Sequence, residues 1–314
     1  MSKVLLISNS GDIHTDLLVD SCRRLGVSYF RLNTDHFRKF GELSWNINDF
    51  NLRLSIDKHN FYTNELKLIV YRRPIRAYDS NKDFPEWQNR LIDNEWKSVE
   101  LSFSVISNIK IINPIAASTI ARNKLIQLQF AIRAGLKIPK TLLSTSKNEL
   151  LEFVDRYKCI TKGIDTSYIF DKDNVRTGFT KTVSKSIIEN YNMKGYPTLI
   201  QEAIIPKAIW RIVYIDSKIF GVRYIGNALL QEQDSRLIND KLIGKPTRVP
   251  KEVILGMKNL CQNLGILFAS SDFIEDASGH LFFLDLNPDG QWAWLDNQYG
   301  LKIADTIIRL ANLN

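Results

Sequence analysis

Hydrophobic and polar positions run along this chain in blocks whose period changes. Lys3–Ser8 (KVLLIS) is a short continuous apolar run, the pattern of a buried parallel strand, and Asn9-Ser10-Gly11-Asp12 follows as a turn. Over Thr15–Leu25, the residues Leu17, Leu18, Cys22 and Leu25 recur at helical spacing, and Gly26 stands where helices usually end. Val27–Asn33 (VSYFRLN) reads as the next strand, so the N-terminal part is strand–helix–strand and belongs to the open α/β class. Its first turn lacks Gly-x-Gly-x-x-Gly, which removes a dinucleotide fingerprint. Trp45–Asp57 and Asn60–Glu65 read as hairpin strands at the edge. Leu66–Pro74 (LKLIVYRRP) reads as a strand ending in two arginines, Phe84–Ile106 as a long helix, and Lys110–Pro114 as a strand stopped by its proline.

Ser118–Gly135 reads as one helix, capped by Ser118 and ended by Gly135, with Lys124 in its first turns. A strand Lys137–Leu143, a helix Lys147–Tyr157 and a strand Lys158–Lys162 follow, the last closed by Gly163. Tyr168–Asp171 and Arg176–Val183 read as an antiparallel pair covering the site, and Thr198–Ile205 as a further strand. Trp210–Tyr214 and Lys218–Tyr224 make a hairpin around Asp216-Ser217 that carries Arg211 and Arg223. Asn227–Arg248 is polar and reads as a mobile segment; Lys251–Leu264 is a helix ended by Gly265, and Trp292–Leu310 an aromatic loop plus helix.

The most informative stretch is Leu267–Asp296. Ser278-Gly279 suits a two-residue hairpin turn. Counting outward from it, Ala277 faces His280 and Asp272 faces Asp285, and side chains 283, 285 and 287 share one face. Asp272, Asp285 and Asn287 then converge. Two carboxylates directly opposite repel, and here they sit within apolar runs. A divalent cation between them removes the repulsion, and an oxygen-only set of this kind suits Mg2+. The alternative is two acids on a solvated hairpin face.

Composition narrows the function classes. The 314 residues are 44% hydrophobic and 24% charged, ordinary for a globular protein of about two domains. No run of about 18 apolar residues predicts a membrane span, and MSKVLLISNSGD is too short and strand-like for a signal peptide. Cys22, Cys159 and Cys261 are odd in number and far apart, which fits a reducing cytoplasm better than a disulfide framework or a zinc site. The net charge of +8 is scattered, with no basic run or RNA-binding signature, so nucleic acid is not the expected partner.

Several cations stand where a phosphate or carboxylate can be met. Arg72 and Arg73 end a strand, where ligand crevices of open α/β sheets lie; guanidinium forks there suit a carboxylate or phosphate, and a solvated pair is the alternative. Lys124 on its helix and Lys162 before Gly163 are candidate phosphate ligands. Backbone groups around Gln201–Ala203 could read an adenine edge, and Glu202 could take a ribose hydroxyl.

Taken in order, these residues resemble an ATP-grasp ligase: an α/β domain, helix-borne Lys124, Lys162, the hinge strand Gln201-Glu202-Ala203-Ile204, then Asp272, Asp285 and Asn287. The ending FLDLNPDGQW, the YRRP of Tyr71–Pro74 and the RLNTD of Arg31–Asp35 are similar to one branch, the ATP-grasp ribosomal peptide maturases of the microviridin or graspetide type. The resemblance implies an N-terminal open α/β pre-ATP-grasp domain (1–115), a central ATP-grasp subdomain (116–200) and a C-terminal subdomain with the metal site (201–314), ATP lying between antiparallel sheets.

It also implies chemistry. ATP would phosphorylate an Asp or Glu side chain of a ribosomal precursor peptide, and a Ser/Thr hydroxyl or Lys amine would displace the phosphate. Mg2+ would sit on Asp272, Asp285 and Asn287; Lys124 and Lys162 would hold the α and β phosphates; the hinge Gln201–Ile204 would hold the nucleotide base. Arg211 would face the γ-phosphate or acyl phosphate, with Arg223, Arg72 and Arg73 as further catalytic candidates. The precursor's leader would bind in or near 165–190, by strand addition among other modes, and a homodimer is implied. Two departures stand out. Ile209 occupies the place, two residues before Arg211, where this branch commonly has an acid. Asp285 stands where the metal acid is often Glu, an arm shorter by roughly 1.5 Å. A ligase for a small amino acid or peptide, and a nucleotide- or peptide-binding module without catalysis, are the competing readings.

Overall fold

The structure is a computed structural model that describes residues 3–35, 41–48, 51–56, 59–73, 84–106, 109–164, 168–171, 174–177, 180–190, 195–226 and 242–311. Pro74 of the YRRP run and most of the polar segment after Asn227 lie outside the described residues, as does part of 165–190.

The N-terminal part is β1 (Lys3–Ser8), α1 (Ile13–Arg24), β2 (Ser28–Asn33), β3 (Gly41–Asn46), β4 (Asn51–Ile56), β5 (His59–Tyr62), β6 (Leu66–Tyr71), α2 (Glu86–Ser102) and β7 (Lys110–Ile112). Strands β2-β1-β6-β7 form a parallel sheet, so the strand order reverses between β1 and β6 and a crevice lies at their carboxyl ends. The stretch expected as one strand, Trp45–Asp57, is two: β3 and β4 pair with each other and, with β5, make a separate antiparallel sheet.

The single helix expected over Ser118–Gly135 is broken into α3 (Ile115–Ala121) and α4 (Lys124–Arg133). Ser118 lies inside α3; the cap is Asn123, whose side chain accepts from the amides of Leu125 and Ile126. The apolar periodicity runs through the break, so only Asn123's preference for capping marks it. Gly135 does end α4, at φ +83, in the left-handed region that favours glycine.

The central part continues with β8 (Thr141–Ser144), α5 (Lys147–Arg156), β9 (Cys159–Thr161), β10 (Tyr168–Asp171), β11 (Asn174–Thr177), β12 (Lys181–Val183), α6 (Lys185–Asn190) and β13 (Thr198–Glu202). Its antiparallel sheet runs β12-β9-β13-β8, with Ile200 packed against Leu150 and Ile188 of α5 and α6 on one face. The expected pairing of 168–171 with 176–183 is corrected: β10 pairs with β11, and β12 joins the sheet beside β9.

Next come β14 (Ala208–Ile215), β15 (Lys218–Ile225), β16 (Ile243–Pro246), α7 (Lys251–Asn263), β17 (Phe268–Glu275), β18 (Leu281–Asn287), α8 (Ala293–Tyr299) and α9 (Ile303–Ile308). They hold a five-stranded antiparallel sheet, β16-β15-β14-β17-β18. Strand β14 is buried on both faces. Trp210, Ile212 and Tyr214 pack with α4 and α7, whereas Val213 and Ile215 pack with α1, β1, β6 and α9. The second face therefore shares one core with the N-terminal sheet, and each fully buried aliphatic side chain there contributes about 1.5–3 kcal/mol. Among the described residues no helix is long and apolar enough to cross a membrane.

Candidate active site

The hairpin β17–β18 builds the site in a way the sequence count did not foresee. Its tip is a three-residue turn: Asp276 N donates to His280 O (3.0 Å) and Gly279 N to Asp276 O (3.0 Å), with Gly279 at φ +84. From that tip Glu275 faces Leu281 and Phe273 faces Phe283. Leu284 is then the extra residue of a bulge, beyond which Asp272 faces Asp285 and Ser270 faces Asn287. The expected pairing of Asp272 with Asp285 is present, while the expected two-residue turn is not. The bulge also corrects the expected grouping of 283, 285 and 287, for Phe283 enters the core beside Phe273 and Leu286.

The outer backbone groups of β18 are taken up by other parts of the chain. Phe283 N donates to Lys137 O (2.8 Å). The buried Gln127 side chain accepts from Leu286 N (3.0 Å) and donates to Leu286 O (2.7 Å). The bulged Leu284 presents its carbonyl to Lys162 Nζ (3.0 Å). Lys124 Nζ donates to Gly163 O (3.0 Å), next to Lys162. The bulge thus joins the central sheet's lysines to the carboxylate hairpin. Burial pushes the Lys162 ammonium down to about 8 against the pull of Asp285; Lys124 adds to the depression and Asp272 opposes it.

On β14, Arg211 pairs in register with Asp272, and its Nε lies 3.1 Å from Asp272 Oδ1 while Nη1 reaches Ser270 Oγ at 3.3 Å. Arg211, Lys124, Lys162, Asp272, Asp285 and Asn287 are therefore brought together. The two carboxylates are flanked by cations from β14 and from the end of β9. Among the described residues no group of three or more His, Cys, Asp or Glu is placed to hold a metal. A cation site here rests on two carboxylates and the Asn287 amide oxygen, a hard oxygen set that fits Mg2+. Ile209 faces Tyr224 across the strands and packs into the core, so no acid stands beside Arg211 on that side.

Arg223 is not part of this cluster. Register places it opposite Trp210, on the other face of the sheet, where Nε and Nη2 grip the Glu275 carboxylate at 2.7 and 3.0 Å and Trp210 Nε1 donates to it at 2.8 Å. Bonds from Arg223 hold the Glu275 carboxyl below its usual range despite burial.

The hinge strand needs a correction too. The amides of Glu202 and Ala203 already donate to the carbonyls of Lys140 and Lys158, both at 2.8 Å, so these two groups are not free to read a base. The Gln201 carboxamide is buried, and its Nε2 donates to Thr141 Oγ1 (2.8 Å), whose own proton goes to Pro139 O (2.8 Å). That fixes the amide's orientation and leaves Oε1 as an acceptor with no hydrogen-bond partner among the described residues. Ile204 is half-buried just beyond.

The two N-terminal arginines diverge. Arg73 is exposed, at φ +43, with its carbonyl held by Asn9 Nδ2 (2.9 Å). Arg72 is 5% exposed and turned inward: Nη1 donates to Asp289 O (3.2 Å) and Gly290 O (3.1 Å), and Nε stands 3.3 Å from Asp12 Oδ2. Capture of a ligand by the Arg72 fork is therefore corrected, because the group is buried with Nη1 spent on two carbonyls, although Nε and Nη2 make no hydrogen bond among the described residues. His14 and Arg122 also reach the segment after Asn287, and Asp12 stands behind Arg72; none of the three was singled out in the sequence. Asp12 was legible as the cap of α1, but their partners lie far away in the chain.

No family model matches the sequence, and no curated protein matches it. Solved structures do. A RiPP-associated ATP-grasp ligase from Chryseobacterium gregarium, in complex with ADP and a leader and core peptide, superposes with a TM-score of 0.88 at 20% identity over 99% of this chain and 97% of its own. The macrocyclase MdnC from Microcystis aeruginosa MRC, bound with precursor peptide MdnA, gives 0.83 at 22% identity over 99% and 100%. D-cycloserine synthetase DcsG gives 0.59 at 12% identity over 99% of each chain. The chain has the ATP-grasp fold.

Proposed function

We propose that this protein is an ATP-dependent ligase that activates Asp or Glu side chains of a ribosomal precursor peptide as acyl phosphates and joins them to hydroxyl or amine side chains. The observation that carries the reading is the convergence at the bulge: Lys162 on the Leu284 carbonyl, Lys124 beside it, and Arg211 against Asp272, all around one facing pair of carboxylates. ATP-binding ligases of peptides match this chain more closely in shape than the small-molecule synthetase does, which favours a peptide over a free amino acid.

Each residue then has a task. Lys124 and Lys162 neutralise phosphate oxygens, and Lys162 regains its full charge as they arrive. Arg211 can leave Asp272 for the transferred phosphoryl group or the acyl phosphate, so the catalysis is chiefly positioning and electrostatic stabilisation. Asp272, Asp285 and Asn287 would hold Mg2+, which supplies charge neutralisation between phosphates. Gln201 Oε1 suits a donor such as the adenine amino group, and exposed Arg73 suits a second acidic side chain of the substrate. The division at 1–115, 116–200 and 201–314, a leader-peptide contact in 165–190, a homodimer and a cytoplasmic setting belong to the same proposal; three buried free thiols fit a reducing compartment.

The test is ADP release by the purified protein with Mg2+ and an acidic precursor peptide encoded next to its gene, with mass spectrometry for loss of one water per new bond. Asp285→Asn is expected to lower turnover at least ~100-fold with the fold intact, since metal charge stabilisation is worth several kcal/mol and about 1.4 kcal/mol is tenfold. Parental activity in that variant sinks the metal assignment. ADP release with free amino acids but not peptides supports the small-substrate ligase.

A further inference from the structure

The segment leaving the carboxylate hairpin is clamped from the N-terminal domain by groups of both polarities. Arg72 Nη1 takes the carbonyls of Asp289 and Gly290, while His14 Nδ1 accepts from the amides of Ala293 (3.2 Å) and Trp292 (3.5 Å). Both residues are buried, and the His14 ring stands edge-on to Trp292 at 5.1 Å. Behind Arg72, Asp12 accepts from Ser8 Oγ (2.9 Å) and Thr15 Oγ1 (2.7 Å), so its carboxylate is held by β1 and α1. Arg72's own amide extends the sheet by donating to Ile7 O (2.8 Å). On the hairpin side, Asn287 Oδ1 accepts from Asp289 N (2.9 Å), and Arg122 Nε grips the Asp289 carboxylate (3.0 Å). Gly290 lies flat on β17, where an added Cβ would stand 2.3 Å from Ser270 Cβ.

We propose that Arg72, supported by Asp12 and His14, is a positioning residue: it fixes the Asp289-Gly290 turn and thereby aims the Asn287 amide oxygen at the cation that Asp272 and Asp285 would share. The inference rests on the metal-dependent reading of the site and deepens it. A guanidinium this buried has a strong need for hydrogen-bond acceptors; with Nε and Nη2 making no hydrogen bond among the described residues, the two carbonyls of this turn are its charge-assisted bonds and hold it in place. The turn in turn decides where Asn287 points, because its Oδ1 closes that same turn. Partners that orient metal ligands commonly change metal affinity about 10–100-fold when removed.

The test is calorimetric titration of ADP into the full-length protein with and without Mg2+. Arg72→Lys keeps the charge but loses the two-carbonyl geometry. The Mg2+-dependent gain in ADP affinity is expected to fall about tenfold, with Mg2+-free ADP affinity unchanged. Arg24→Lys, which disturbs the remote surface pair with Asp305, is expected to leave the gain untouched. Should Arg72→Lys not fold, His14→Phe removes only the acceptor for the two amides and is expected to cut the gain about fivefold, since one net hydrogen bond is worth roughly 1 kcal/mol. An Arg72→Lys or His14→Phe protein with the parental Mg2+ gain overturns the positioning role and leaves the metal reading standing. A parent protein with no Mg2+ gain overturns both.

Discussion

Two arginine–carboxylate pairs lie on opposite faces of the same three strands, and they differ in how fully they are satisfied. Arg223 grips Glu275 through two nitrogens, Trp210 adds a third bond, and Lys207 stands 3.8 Å away. Arg211 meets Asp272 through one nitrogen, with a long bond to Ser270 and an Asp272 side chain 42% exposed. The first pair is committed to the fold. The second is more open to solvent, and Lys124 and Lys162 near it donate to backbone carbonyls and not to carboxylates among the described hydrogen bonds, so a ligand can reach and re-partner it. Charge alone does not separate them, since both arginines come from one hairpin; face and burial of the carboxylate do.

The widest separation is expected from alanine at the two arginines. Arg211→Ala should reduce ADP-forming turnover about 100-fold or more while leaving the melting temperature within a few degrees, because a charge aimed at the reacting phosphoryl group is lost. Arg223→Ala should do the opposite, costing about 2–3 kcal/mol of stability by stranding Glu275 while turnover per folded molecule stays near the parent. Thermal unfolding beside steady-state turnover reads both, and a reversed pattern breaks the comparison.

Lys162 sharpens it. Burial pushes its ammonium down to about 8 in the free protein, against 10.5 for an ordinary lysine, so the unfolded chain binds more protons between those values and free-protein stability rises with pH across that window. Under the proposed function, an arriving phosphate would restore the charge. ADP binding above pH 8 should therefore take up protons and weaken by up to about tenfold per pH unit, visible as a buffer-dependent binding enthalpy. Lys162→Met should abolish the proton uptake.

The smallest effect concerns a group kept uncharged. Burial, then Arg72, push the His14 imidazole to about 3, with Asp12 opposing and Arg73 adding to the shift. The unfolded histidine titrates at 6.5, so stability is fully present above that value and declines as pH falls from 6.5 toward 3, with a limiting slope of about 1.4 kcal/mol per pH unit. His14→Phe should flatten that part of a denaturant midpoint-versus-pH curve.

Much of the site was legible because its residues announce themselves locally: carboxylates inside apolar strands, a lysine before Gly163, an arginine in a hairpin. The Asp272–Asp285 pairing emerged from two compensating differences, a turn one residue longer than counted and a bulge at Leu284 that restores the register. Turn chemistry alone cannot reveal a bulge whose carbonyl is met by a lysine 122 residues away. Ser118 failed as a cap because its helix already begins at Ile115, and the break at Asn123 was hidden by an apolar stripe that runs through it. Arg72 and Arg223 looked like free cations because the groups they bond, the Asp289-Gly290 carbonyls and Glu275, are distant in sequence and fixed only by packing.

The sealing of β18 has a consequence for how a second chain can approach. With Gln127, Lys137 and Lys162 occupying its outward amides and carbonyls, this border cannot zip onto a neighbouring polypeptide, neither another copy growing into a filament nor an incoming extended segment. Any guest that docks by backbone pairing must use a different border of the molecule, leaving the carboxylate hairpin to meet it through side chains alone.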